Sequence, residues 1–122
     1  MTDQSYSILL RIFVGELDKV GHQPLYEEIV FEAKRQGLAG ATVTRGIMSF
    51  GANSHIHRAK LLDISEDLPF VIEIVDDEEK IEAFLEKVDE LFKKADAGGL
   101  ITSEKVRVKF YGSGNQKKIK GD

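Results

Sequence analysis

The chain switches repeatedly between strand-like and helix-like spacing of its apolar residues. From Ser7 to Val14, Ile8, Leu10, Ile12 and Val14 fall on one side of an extended segment and Leu9 and Phe13 on the other, interrupted by Arg11. Apolar groups on both sides predict a central strand. Pro24 then stands at an early helical position, with Glu27 and Glu28 in the first turn, where carboxylates favour the positive end of the helix dipole. Tyr26, Ile29, Val30 and Ala33 continue as a helical stripe, and Gly37 supplies a C-terminal stop. Ala41 to Phe50, rich in Thr and Val, predicts a second strand in which Gly46 marks a bulge or a close backbone approach. Between Gly51 and Asp67 the periodicity is lost, although Ala59 to Ile64 suits a hairpin arm, and a connection this long predicts a mobile, functional loop. Phe70 to Val75 predicts a third strand, apolar except at Glu73, followed by a helix that Asp76 caps while Glu79 reaches back to it. Ile81, Phe84, Leu85, Val88, Leu91, Phe92 and Ala95 recur at helical spacing, with Lys93 and Lys94 at the favourable end of the dipole. After Gly98-Gly99, Lys105 to Tyr111 alternates basic and apolar and predicts a fourth strand with one buried face.

The order βαββαβ is that of an α+β, ferredoxin-like sandwich: a four-stranded antiparallel sheet with two helices on one face. The strands carry more apolar surface than two helices can cover, which predicts an oligomer built on the open sheet face. Residues 1–112 form a single domain in this reading, and the polar, basic stretch 113–122 a disordered tail.

Composition narrows the function. The 122 residues include no cysteine, which removes disulfides, thiolate metal sites and cysteine nucleophiles and suits a reducing cytoplasm. No apolar run approaches the roughly 20 residues of a membrane-spanning helix, and the first residues lack the basic start of a signal peptide, so the protein is expected to be cytoplasmic. A formal charge of -4 offers no general attraction to nucleic acid.

Leu68-Pro69-Phe70-Val71-Ile72-Glu73-Ile74-Val75, read with Gly37-Leu38-Ala39-Gly40-Ala41-Thr42-Val43, resembles the trimeric PII-type signalling proteins. The wider pattern resembles a PII-like family of small bacterial and archaeal proteins, the DUF190 or UPF0166 type. It is carried by Leu9-Leu10-Arg11-Ile12-Phe13-Val14-Gly15-Glu16, Pro24-Leu25-Tyr26-Glu27, Gly40-Ala41-Thr42-Val43-Thr44-Arg45-Gly46-Ile47 and Ser54-His55-Ile56-His57. The resemblance implies a homotrimeric regulator with adenine nucleotide in intersubunit clefts, signalling through the 51–67 loop to a protein target such as a membrane transporter or channel.

On that resemblance, main chain near Thr42 and Val75 holds the adenine edge, and the Gly98-Gly99 turn approaches the phosphates. On the residues alone, a glycine pair also serves simply to end a helix. Arg107 and Lys109, two apart on the expected last strand, share a face and correspond to a pair of phosphate-binding arginines, although a solvated edge strand alternates in the same way. The chain departs from the PII pattern at Ser49, Ala52, Phe70 and Leu100, and the last three lose cations that would meet phosphate. Each such contact, when desolvated, is worth about 1.5–3 kcal/mol. AMP or ADP is therefore expected to bind at least as well as ATP, with Arg45 and Arg58 the residues able to compensate.

His55 and His57 could converge on a divalent metal from an extended segment, as in the divalent-cation-tolerance proteins of similar architecture. A protein-only adaptor is the third reading. Catalysis is not expected: Glu66-Asp67 and Asp76-Asp77 are joined by no evident nucleophile or base, and nucleophile-elbow, Walker-type and zinc-hydrolase motifs are absent.

Overall fold

A computed structural model of the chain describes residues 6–50, 56–58 and 68–114, the segment 56–58 as backbone. Its elements are β1 (Ser7–Gly15), β2 (Lys19–Val20), β3 (Gln23–Pro24), α1 (Leu25–Arg35), β4 (Thr42–Arg45), β5 (Met48–Phe50), β6 (Ile56–Arg58), β7 (Pro69–Asp76), α2 (Glu78–Ala95) and β8 (Leu100–Val106). The main sheet is antiparallel throughout, in the order β4-β7-β1-β8. Both helices cover one face, giving the expected ferredoxin-like α+β sandwich.

Side-chain alternation fixes which face is which. Leu10, Ile12 and Val14 on β1, with Ile72 and Ile74 on β7, are buried against Leu25, Ile29 and Ala33 of α1 and Ile81, Phe84, Val88 and Leu91 of α2. Burying side chains of this size stabilises by roughly 1.5–3 kcal/mol each. The intervening Leu9, Phe13, Val71 and Val75 point to the open face and stay half-buried.

Several details differ from the sequence reading. The expected second strand, 41–50, is broken: β4 stops at Arg45 and β5 pairs instead with β6 in a separate hairpin. Gly46 marks the break by close approach, since its N–H donates to the Pro69 carbonyl (2.8 Å) and an added Cβ would lie 2.9 Å from Pro69 Cγ. The expected arm 59–64 lies outside the described residues, as does most of the 51–67 loop. A miniature β2–β3 hairpin, turning through Gly21 at φ +63, precedes α1 and was not expected.

Asp76 does not cap α2. It is the last residue of β7, fully buried, and Asp77 takes the N-cap position. The fourth strand lies earlier than expected, at 100–106 instead of 105–111, because its partner runs out: the ladder with β1 closes at Ser7↔Val106. Nor does Gly98-Gly99 end α2. Asp96 does so in the left-handed conformation (φ 51), with the Asp96 and Ala97 N–H groups donating to the Lys93 and Phe92 carbonyls.

Candidate functional site

Where β1, β7 and β4 end, the open side of the sheet is walled into a cleft of about 680 Å³. That volume lies within the range of small-molecule sites. Leu9 and Val75 supply an apolar floor, residues 39–42 form one wall, and residues 106–111 form the other. β4 is an edge strand, so main-chain groups on its outer side have no ladder partner within the described sheet.

The 39–42 wall is anchored from within. Ala39 N–H donates to Asp76 Oδ2 (2.8 Å), and Asp77 N–H donates to Asp76 Oδ1 (2.7 Å). A fully buried carboxylate is retained here because both oxygens accept main-chain donors. The opposite wall is tied across by the Tyr111 hydroxyl, which donates to the Ala39 carbonyl at 2.8 Å. Ala39 is thus held through its N–H on one side and its carbonyl on the other.

Four of the sequence-derived residues meet in this cleft: Thr42, Val75, Arg107 and Lys109. Arg107 and Lys109 do so from the irregular segment beyond β8 and not from a strand, so the expected shared strand face is corrected. The Arg107 guanidinium also lies over the Tyr6 ring, 5.6 Å from its centroid.

Arg45, Gly98 and Gly99 lie toward the other end of the sheet. The Phe13 carbonyl faces Gly99, whereas Leu9 floors the cleft, a separation of four residues along β1 and roughly 13 Å at the usual strand rise. Gly99 is there for space: a Cβ would lie 2.5 Å from the Phe13 carbonyl oxygen and 2.8 Å from Phe92 Cε2. Arg45 is engaged by Glu16, with Nε 2.6 Å from Oε1, and this hydrogen bond holds the guanidinium pKa above its ordinary value. Nearby Phe70 packs on Tyr26 with ring centroids 4.1 Å apart, and burial pushes the Tyr26 hydroxyl pKa up. Leu100 is 55% exposed. His55, Ala52 and the side chains of His57 and Arg58 lie outside the described residues. Among the described residues, no cluster of three His, Cys, Asp or Glu could hold a metal, and no helix is long and apolar enough to cross a membrane.

Glu73 also lines the cleft, and on the open face it belongs to an ion-pair bridge over three strands. Arg11 on β1 donates to Glu73 of β7 (2.8 Å) and to Glu104 of β8 (3.2 Å). The Glu73 hydrogen bond, then the charges of both carboxylates, raise the Arg11 pKa. Sequence reading treated Arg11 as an interruption and missed this pairing, as it missed the Ala39 wall and Tyr111. The cross-strand partners emerge only with the register Arg11↔Glu73.

Fold and cleft define an α+β domain of the PII-like type. The chain belongs to the DUF190 family (uncharacterized ACR), which matches residues 7–108. A UPF0166 protein of Aquifex aeolicus (strain VF5) is 43% identical over 100 residues, covering 82% of this chain and 90% of the relative. Among solved structures, the nitrogen regulatory PII-like protein CPII from Thiomonas intermedia K12, bound to ADP, AMP and bicarbonate, superposes with a TM-score of 0.64 at 19% identity, over 84% of this chain and 88% of that one. The divalent ion tolerance protein CutA1 from Ehrlichia chaffeensis gives 0.55 at 12% identity, over 96% and 92%. At these identities the structural likenesses establish the fold.

Proposed function

We propose that this protein is a non-enzymatic PII-like regulator that binds AMP or ADP in preference to ATP, in clefts completed between copies of a cytoplasmic homotrimer. The observation that carries the reading is the convergence of Thr42, Val75, Arg107 and Lys109 on one cleft of ligand size. Adenine pairs through the main chain near Thr42, whose peptide N–H and carbonyl suit the acceptor and donor on the base edge, and its face rests on Leu9 and Val75. Arg107 and Lys109 meet the phosphates. That CPII was solved with ADP and AMP supports this ligand class.

The split between the two sheet ends supports a site made by two protomers. Arg45, Gly98 and Gly99 lie toward the other end of the sheet from the cleft of their own chain, and a neighbouring copy would bring them to it. The half-buried apolar side chains of the open face supply the surface for such an assembly. Occupancy is read out through the 51–67 segment by a protein target, a membrane transporter or channel, because a ligand shifts an equilibrium by its unequal affinity for two states.

Melting the protein with AMP, ADP, ATP, cyclic AMP or divalent metals tests this, since a ligand selective for the folded state raises the Tm. Stabilisation by AMP or ADP is expected. Stabilisation by a divalent metal alone would favour the metal-binding alternative through His55 and His57.

A further inference from the structure

We propose that residues 107–111 form a strap, latched by Tyr111 to Ala39, that closes the cleft over an anionic ligand and sets how fast that ligand leaves. The inference rests on the nucleotide reading for the identity of the ligand, and on the structure alone for the latch.

The strap leaves the sheet at its β8 edge and ends at the β4 side. It thereby crosses three strand spacings, about 14 Å at ~4.8 Å each. Five residues from Val106 to Tyr111 reach at most about 17 Å when extended, enough with the Tyr111 side chain to span the cleft from one wall to the other. At the near end the ladder has just closed at Val106, and Arg107 lies over the Tyr6 ring. At the far end, among the described residues, it is held to the opposite wall by the Tyr111 hydroxyl on the Ala39 carbonyl.

Among the described residues of one chain, the strap's side chains are otherwise exposed. Phe110 is 83% exposed and Tyr111 59%. Few apolar contacts and no ladder beyond Val106 are the marks of a segment that opens locally while the domain stays folded. The wall it latches to is of the opposite kind, because buried Asp76 fixes Ala39 through its N–H. The strap moves and the wall does not.

Both cleft cations outside the sheet, Arg107 and Lys109, ride on the strap. A phosphate bound in the cleft meets them only when the strap is closed. The anion therefore binds the latched state better and favours it, and the latch in turn retards release.

Tyr111→Phe tests the latch by removing one exposed hydroxyl, a change the core does not feel. In the free full-length protein, initial tryptic cleavage after Arg107 and Lys109 should speed up by about three- to tenfold, the range set by one net hydrogen bond. Stopped-flow release of AMP or ADP should accelerate by a similar factor with the association rate little changed, a split that a general loss of stability would not give. Unchanged cleavage overturns the latch. Faster cleavage with unchanged release overturns the closing role. Faster cleavage in a protein whose wild type binds neither AMP nor ADP overturns the nucleotide reading, and the closing role with it, and leaves the latch standing.

Discussion

Asp76 and Ala39 lie 37 residues apart in sequence and are joined by a 2.8 Å hydrogen bond from the Ala39 amide to a fully buried carboxylate oxygen. This contact links the end of the central strand β7 to the loop before β4, and so turns a connecting loop into a cleft wall. Asp76→Ala strands the Ala39 and Asp77 amides without their acceptor and should destabilise the fold by about 1–3 kcal/mol, measured as a lower urea midpoint. Asp76→Asn should recover only part of this, because its amide nitrogen faces a donor. A midpoint unchanged in both variants would remove Asp76 as the anchor.

Gly99 faces a backbone oxygen that cannot move aside. Gly99→Ala brings a Cβ to 2.5 Å from the Phe13 carbonyl oxygen and should cost about 1–3 kcal/mol in thermal unfolding. Gly98→Ala, with nothing within 4 Å of its Cβ, should be close to neutral. Equal effects at the two positions would contradict the packing account.

Glu32 predicts an acid-sensitive term in stability. Its carboxylate accepts from Gln36 (2.7 Å) and from Arg35 (2.7 and 3.0 Å), and these hydrogen bonds, Gln36 first, hold its pKa below the ordinary value against the opposing effect of burial. A lowered folded pKa contributes stability that is complete above the ordinary Glu value of about 4.3 and is lost as pH falls through the folded pKa. Urea unfolding from about pH 5 down to about pH 3 should therefore fall less steeply in Glu32→Gln than in the wild type. Parallel curves would show that Glu32 does not contribute.

The open sheet face should mediate assembly. Light scattering at micromolar concentration is expected to give about three times the chain mass. Arg11→Glu would set three carboxylates side by side on adjacent strands, with Glu73 and Glu104, and should shift the protein to monomer. A wild-type monomer would remove the shared site.

The elements with sustained periodicity were legible in the sequence. Ile81 to Ala95 and the two-faced pattern of Ser7 to Val14 follow directly from what each face must bury, and together they gave the sandwich. What misled was pattern without partner. Lys105 to Tyr111 alternates like a strand, but the β1 ladder closes at Ser7↔Val106 and, among the described residues, Arg107 to Tyr111 have no strand partner. Asp76 had the spacing of a capping box, yet its burial at the end of β7 gave it other donors. Thr42, Val75, Arg107 and Lys109 could be named from residues that resemble a family, whereas Ala39 and Tyr111 could not, because Ala39 takes part through its main chain, which leaves no side-chain signature, and the Tyr111 hydroxyl meets it across 72 residues of sequence. Gly98 and Arg45, named from the same resemblance, show the further limit: they lie toward the other end of the sheet from the cleft, a separation that a residue pattern does not reveal.

Titration calorimetry of AMP, ADP and ATP against the wild type, Arg107→Ala and Lys109→Ala tests the central claim most directly. AMP or ADP should bind the wild type at least as tightly as ATP, and each variant should lose about ten- to 150-fold in affinity, the range of a charge-assisted contact. No binding of any adenine nucleotide, or binding that both variants retain in full, would contradict the account.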